Sequence, residues 1–179
     1  QARGDLFALL DSDDLWSPEK TQRQCAYLDA HPGIGMVVCD VARMDADGTP
    51  YDFFRRRDVI PNDGWVIGDI LMNPALVPAS AMLRREVFAD VGGFDTTLRT
   101  AEDLDFFLRV AQRWQVGVTE GAMVRAMRGH EGLSAEATTY DDYVRVMERA
   151  VADSATTVDD ATRQRALAAA YVRNARGLM

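Results

Sequence analysis

The sequence predicts an α/β fold in which the strands of a mostly parallel sheet alternate with helices. Apolar runs over residues 5–11 and 35–44 have the length and composition of buried strands. Apolar residues at helical spacing are clearest over residues 100–113. With 179 residues, the chain is long enough for one domain with a substantial core and too short for two of ordinary size.

The beginning of the chain predicts a strand, a turn and a helix. Asp5 to Asp11 form an apolar run ended by acids, as expected for a strand buried on both faces. In Ser17-Pro18-Glu19, serine is a capping residue, proline suits the first helical position and glutamate favours the helix dipole. We therefore expect a helix over residues 18–30, followed by a strand over residues 35–44.

The remaining segments are short until residue 100, and the chain ends in two amphipathic helices. In chain order we expect an edge strand or loop over 51–58, helices over 65–72 and 85–90, an extended segment over 78–83, a helix over 100–113, and strands over 116–119 and 122–127. The first C-terminal helix, over residues 140–152, places Tyr140, Tyr143, Val144, Met147 and Val151 on one face. The second, over residues 160–176, places Leu167, Tyr171 and Val172 inward. These patterns predict a domain over residues 1–135 and a helical hairpin over residues 136–179, packed on the same domain.

Charge and composition exclude several function classes. Lysine and arginine total 20 against 28 acidic residues, a net charge of −8, so no overall basic field attracts nucleic acid. No apolar run is long enough to cross a membrane. Cys25 and Cys39 lack the density of a disulfide framework and are expected to be reduced, buried thiols. The sequence predicts a cytoplasmic protein.

Three aspartates follow the first predicted strand. Asp11, Asp13 and Asp14 occupy three of four consecutive positions, where the carboxyl end of a strand in an open α/β sheet is the usual ligand position. Clustered carboxylates suit Mg²⁺ or Mn²⁺, and repulsion among them favours a bound cation or a raised pKa. Turn formation and helix capping are the alternative role, although one acid and Ser17 would satisfy it.

A second acidic pair begins the helix predicted from Thr100. Thr100 and Asp103 have the spacing of a capping box, so Asp103 has a purely structural interpretation. A carboxylate at a helix start is also rigidly placed, which suits a general base. Farther along, His130 follows Arg128 and Gly129, and a lone histidine is more often a loop residue than a ligand.

Four sequence blocks together resemble the family 2 glycosyltransferases of the GT-A fold, which is Rossmann-like. They are ARGDLFALLDSDDLWSPEKTQRQ from Ala2, MLRREVFADVGGFD from Met82, AEDLDFFLRVA from Ala101 and RGHEGLS from Arg128. Their order covers residues 2–134. The resemblance implies a metal-dependent, inverting enzyme that transfers a sugar from a nucleotide-diphosphate sugar to an acceptor hydroxyl.

The resemblance also implies roles for individual residues. The family's DxD-type acids match Asp11 and Asp13, which would bind the metal and the donor diphosphate, with Asp14 as a further metal ligand. The Glu-Asp pair near the acceptor matches Glu102 and Asp103, with the aspartate as general base. In the last block His130 resembles a residue that joins the metal site, and Arg128 would contact the donor.

Cofactor and partners follow from the same resemblance. They are Mn²⁺ or Mg²⁺, a nucleotide-sugar donor, and a glycan, lipid-linked or small-molecule acceptor. A role in cell-wall or polysaccharide biosynthesis is implied, as is a position peripheral to the inner face of the membrane. The family's opening nucleotide-binding strands precede the DxD block, so the match is N-terminally incomplete. An incomplete sheet edge would favour a homo-oligomer.

Two other functions compete with this interpretation. An apolar run followed by DSDD also resembles the first motif of haloacid-dehalogenase-like phosphatases, which need a lysine well downstream. The only lysine is Lys20, nine residues after Asp11, so that class fits poorly. The second alternative is a non-catalytic, truncated transferase module that acts as a scaffold or binding fragment. Metal-dependent nucleotide binding would separate it from an enzyme.

Overall fold

The computed structural model describes residues 2–45, 47–127 and 138–177. Six strands and six α-helices fall in these ranges. In chain order they are β1 (Leu6–Ala8), β2 (Leu15–Trp16), α1 (Lys20–Ala30), β3 (Ile34–Met44), β4 (Pro50–Phe54), α2 (Ile67–Met72), β5 (Met82–Arg84), α3 (Arg85–Val91), α4 (Glu102–Arg113), β6 (Gln115–Met127), α5 (Thr138–Asp153) and α6 (Asp160–Gly177). The predicted α/β class is confirmed.

The six strands form one mixed sheet. Its order is β1-β5-β3-β6-β2, and β4 pairs with the far part of β3. Only the β3–β6 pair is parallel among the described strands, whereas the other four pairs are antiparallel. The expectation of a mostly parallel sheet is therefore wrong, because the short strand β5 lies between β1 and β3.

The sheet topology nevertheless brings one set of strand ends together. β1 and β3 both run antiparallel to β5, so they share one direction, and β6 is parallel to β3. The carboxyl ends of β1, β3 and β6 therefore lie at one edge. One residue separates the end of helix α4 from the beginning of β6, so the start of α4 is expected at the same edge.

Helices cover the face of the sheet that carries the main core. α4 supplies Phe106, Phe107 and Leu108, all essentially buried. Helices α5 and α6 pack on one another, α6 also packs on α2, and α5 on α4. The predicted C-terminal helical hairpin is thus present and shares its core with the sheet. The division at residues 135 and 136 lies outside the described residues and stays a prediction.

Several local expectations differ from the structure. β1 is short and half-buried rather than buried on both faces. Helix α1 begins at Lys20, and the Ser17 hydroxyl makes no hydrogen bond to a described residue, so the predicted serine cap is absent. On α6, Tyr171 and Val172 are exposed, because Ala166 and Ala170 provide the buried contacts of that helix.

The two strands expected over residues 116–119 and 122–127 are one strand, β6. Its pairing with β3 shifts register beside Asp40, where Gly121 has a φ of 107°. The N–H of Gly121 donates to Oδ2 of Asp40 at 2.8 Å. This bulge explains why the sequence suggested a break without a turn.

Both cysteines are free, as expected, but only Cys39 is fully buried, while Cys25 is partly exposed. Among the described helices, none combines the length and the apolar character that crossing a bilayer requires.

Candidate active site

The aspartates after β1 form a tight loop at the carboxyl edge of the sheet. The N–H of Asp14 donates to the carbonyl of Asp11 at 3.2 Å, which closes the turn. Asp11 and Asp13 are exposed, whereas Asp14 is buried. Oδ1 of Asp14 accepts a hydrogen bond from the Met127 N–H at 3.3 Å. Asp14 therefore ties the loop to the end of β6, while Asp11 and Asp13 face solvent.

The loop carries closely spaced negative charge. Partial burial and the charge of Asp13 raise the pKa of the Asp11 carboxyl above its usual range. Repulsion of this kind is relieved by a proton or by a cation. The binding of a cation by this loop stays a prediction.

Asp103 lies half-buried at the start of α4. Burial raises the pKa of its carboxyl to about 6, and the charges of Glu102 and Asp11 add to the rise. A hydrogen bond from the Leu104 N–H to Oδ1, at 2.7 Å, opposes it. Because Asp11 contributes, the acidic loop and the start of α4 lie near enough to interact through their charges.

The predicted capping box is absent. The hydroxyl of Thr100 bonds to Oδ2 of Asp142 at 3.2 Å, and Oδ1 of Asp103 accepts from the next residue in the helix. No side chain caps α4, whose preceding residue is Ala101. Asp103 still bonds to the backbone at the helix start, so part of its structural interpretation holds although the capping box does not form.

The turn before α4 is strained and is held by α5. Ala101 has a φ of 57°, the left-handed region that only this non-glycine residue occupies in the described part of the chain. Oδ2 of Asp142, on α5, accepts hydrogen bonds from the N–H groups of Arg99 and Thr100 at 3.1 and 3.0 Å. Strained backbone is common at functional sites, where surrounding contacts must enforce it.

A second set of charges holds the body of α4. The buried carboxylate of Asp105 accepts from Nε of Arg109 at 2.9 Å and also pairs with Arg149 of α5. Arg149 bonds to Asp95 at 3.1 Å, and Arg109 donates to the carbonyl of Gly93 at 2.7 Å. These contacts join α4 to α5 and to the loop that follows α3.

Phe94 lies in that loop. It is 41% exposed, and its ring centroid is 4.9 Å from that of Phe106. The side chain thus packs on the edge of the core and also reaches solvent.

Glu102 and Asp103 line a cleft of about 300 Å³. Its other walls come from the segments around Pro74 and Thr100 and from α5 and α6. The remaining lining residues are Pro74, Leu76, Thr100, Ala101, Leu104, Phe107, Thr139, Tyr140, Tyr143 and Arg173. A ligand in this cleft would meet the Asp103 carboxyl.

Two other expected site residues, Arg128 and His130, lie outside the described residues, so their roles stay predictions. Within the described ranges, no three histidine, cysteine or acidic side chains converge into a metal site. Mg²⁺ nevertheless needs only one or two carboxylates beside substrate phosphates, and exposed Asp11 and Asp13 fit that requirement.

Several residues that shape the site were missed by sequence reasoning. Asp142, Arg149 and Arg173 come from the C-terminal helices, for which the sequence predicted packing alone. Helical periodicity identifies the buried face of α5 but cannot show which partner a polar residue meets. No local signal marked these three residues.

The family follows from a sequence match. Residues 1–127 match the family model described as glycosyltransferase like family 2, which covers well over half of the chain. The chain belongs to this glycosyltransferase family.

Because Lys20 is fully buried against Gln24 and Trp16, the phosphatase alternative also lacks its lysine in the acidic loop.

Curated relatives agree with this membership. A glycosyltransferase of Haemophilus influenzae, itself uncharacterised, is 27% identical over 112 residues, which is 62% of this chain and 37% of the relative. The uncharacterised glycosyltransferase YwdF of Bacillus subtilis is 26% identical over 116 residues, 65% of this chain and 42% of its own. This chain thus spans less than half the length of each.

Solved structures confirm the GT-A fold. TarS residues 1–349 of S. aureus superpose with a TM-score of 0.64 at 18% identity, covering 97% of this chain and 48% of that one. The mannosyltransferase PcManGT of Pyrobaculum calidifontis, in complex with GDP-Man and Mn²⁺, gives 0.62 at 20% identity, covering 99% and 48%. The expected fold is confirmed.

Proposed function

We propose that this transferase is a metal-dependent, inverting enzyme that moves a sugar from a nucleotide-diphosphate sugar to an acceptor hydroxyl. One observation carries the proposal. Asp103, whose pKa is raised to about 6, lines a cleft and also interacts electrostatically with Asp11 in the acidic loop. This relationship supports a base for the acceptor beside a site for the donor phosphates.

Asp103 is the proposed general base. The acceptor oxygen forms a bond to the anomeric carbon, the bond from that carbon to the diphosphate oxygen breaks, and Asp103 takes the hydroxyl proton. A base is most effective when its pKa lies near the working pH, and burial moves Asp103 in that direction. Glu102 lines the same cleft and is proposed to orient the acceptor.

Asp11 and Asp13 are the proposed ligands of Mn²⁺ or Mg²⁺ and, through it, of the donor diphosphate. When bound, the ion neutralises negative charge on the leaving diphosphate. The Mn²⁺ and GDP-Man in the Pyrobaculum mannosyltransferase support this assignment. Asp14 and His130 as further metal ligands, and Arg128 as a donor contact, are parts of the same proposal.

Calorimetric titration of UDP and GDP, with and without Mn²⁺, tests the donor site. We expect binding that needs Mn²⁺ and that Asp13→Asn abolishes. The matched control is Asp153→Asn, which removes one exposed carboxylate at the end of α5 and should leave binding unchanged. Nucleotide binding that is independent of both Mn²⁺ and Asp13 would contradict the proposed metal site.

The acceptor and partners belong to the same proposal. We propose that the acceptor is a glycan, a lipid-linked sugar or a small molecule. The proposed role is in cell-wall or polysaccharide biosynthesis, and the proposed location is the inner face of the membrane.

β1 lies at the end of the described sheet, and we propose that its free edge supports self-association. Size-exclusion chromatography over a range of protein concentrations tests this, and a monomer throughout would contradict it.

A further inference from the structure

We propose that Arg173 forms an anion-binding subsite beside the general base, so that the acceptor carries a phosphate or carboxylate group near its reacting hydroxyl. This inference rests on the proposed function of the Asp103 cleft and names the class of acceptor that fits it. The subsite belongs to α6, outside the residues that match the family.

The position of Arg173 points to the acceptor side. It lines the same cleft of about 300 Å³ as Glu102 and Asp103. None of the three aspartates of the acidic loop lines that cleft. A ligand of one or two sugar units in this space would meet both the base and the guanidinium, whereas the donor diphosphate belongs to the acidic loop.

The contacts of Arg173 leave most of its hydrogen-bond donors available. Its guanidinium carbon lies 4.8 Å from the ring centroid of Tyr143, which orients the group by a cation–π contact. Other arginines of α4 to α6, such as Arg109, Arg149 and Arg163, pair with aspartates. Within the described ranges, no carboxylate lies at ion-pair distance from Arg173.

The chemistry of the cleft fits an anionic sugar. A guanidinium presents a planar fork of donors that matches the oxygens of a phosphate or a carboxylate. Tyr140 adds aromatic surface beside it, on which the apolar face of a sugar ring can lie. Glu102 and Asp103 would repel an anion at their own end of the cleft, so the anionic group is directed towards Arg173 and the hydroxyl towards the base.

Calorimetric titration of the whole chain with three sugars tests the subsite. The probes are glucose 6-phosphate, glucuronate and uncharged glucose. We expect the two anionic sugars to bind more tightly than glucose. The difference should shrink as the salt concentration is raised, because the Arg173 guanidinium and the anionic group of the sugar are both exposed and salt screens their attraction. Equal affinity for all three sugars, or no binding of any of them, would overturn the proposal.

Three variants of α6 separate this subsite from a general charge effect. Arg173→Gln is expected to weaken binding of the anionic sugars about tenfold, the size of a charge-assisted hydrogen bond. Arg165→Gln removes the same charge from an exposed position on the same helix and should leave affinity unchanged. Arg173→Lys keeps the charge and loses the fork, so intermediate affinity is expected. Wild-type affinity in Arg173→Gln would overturn the assignment.

Competition with UDP and Mn²⁺ separates the subsite from the donor site. We expect glucose 6-phosphate to remain bound when UDP and Mn²⁺ are added, and UDP affinity to be unchanged in Arg173→Gln. Displacement of the sugar phosphate by UDP would overturn the acceptor assignment. If the wild-type chain does not bind UDP but still binds the anionic sugars through Arg173, the result would count against the proposed function alone.

Discussion

Asp11 at the end of β1 and Asp103 at the start of α4 interact through their charges. Burial raises the pKa of Asp103 to about 6, and the negative charge of Asp11 adds to that rise. The two residues belong to different sequence motifs, and the shared direction of β1, β3 and β6 brings them to one edge of the sheet. The site therefore combines a group suited to accept a proton with a group suited to bind a cation.

The pH dependence of transfer should report Asp103. Only the unprotonated carboxylate can act as a base, so kcat/KM is expected to rise with pH and level off above about 6. Asp103→Asn should lower kcat by about 10²- to 10⁴-fold and leave donor affinity nearly unchanged. A pH profile in which kcat/KM falls through this range would contradict the role.

The same substitution should stabilise the fold. The pKa of Asp103 is raised from 3.8 to about 6 in the folded protein, so the folded state binds more protons between these values. Stability is therefore lost as pH rises through this window.

Asp103→Asn keeps the oxygen that accepts from Leu104 and removes the charge. We expect it to raise the free energy of unfolding by about 1–3 kcal/mol at pH 7 and by little near pH 3.5, measured by urea denaturation. An equal gain at both pH values would show that the charge is not the cause.

Asp142 should act as a positioning residue for the start of α4. Asp142→Ala removes the acceptor of three hydrogen bonds from Arg99 and Thr100. We expect a loss of about 1–3 kcal/mol in the free energy of unfolding, together with a lower kcat, because the Asp103 carboxyl is displaced. Asp141→Ala, at the exposed neighbouring position, is the control for both measurements. Equal effects of the two substitutions would remove the special role of Asp142.

Glycine should fit the backbone conformation at position 101 better than the native alanine does. Glycine adopts a φ of 57° without the steric cost that alanine pays, about 1–2 kcal/mol, and its greater freedom in the unfolded chain offsets part of the gain. We expect Ala101→Gly to raise the free energy of unfolding by up to about 1 kcal/mol. Ala168→Gly, at an exposed position within α6, should lower it by about 0.5–1 kcal/mol. Destabilisation by both would contradict the strain at Ala101.

Lys20 should make stability rise with pH in the alkaline range. Burial lowers the pKa of its amine from the ordinary value of 10.5 to about 8, although Nζ bonds to Oε1 of Gln24 at 2.8 Å. Between these values the unfolded chain binds more protons, so this group adds stability as pH rises. Lys20→Met should reduce that slope when unfolding is compared between pH 8 and about 10. The same slope in wild type and variant would exclude Lys20 as its source.

Local signals predicted most elements and both acidic motifs. The turn after β1 and the helix α4 are each indicated by residues only a few positions apart, so both can be predicted from the sequence without knowledge of the fold. The same holds for the strand β3 and for the two C-terminal helices. Strand pairing was less accessible, because the insertion of β5 between β1 and β3 depends on residues far apart along the chain.

The sequence by itself determined the family, the order of helices and strands, and the residue types available for chemistry at Asp11, Asp13, Glu102 and Asp103. Tertiary structure decided which of these residues meet and how each one titrates. Asp103 has a raised pKa because the packed chain withdraws it from water and places Asp11 nearby. Asp142 holds the start of α4, and Arg173 joins the cleft, because α5 and α6 pack there. Burial and charge proximity depend on distances in space, which local sequence patterns do not encode.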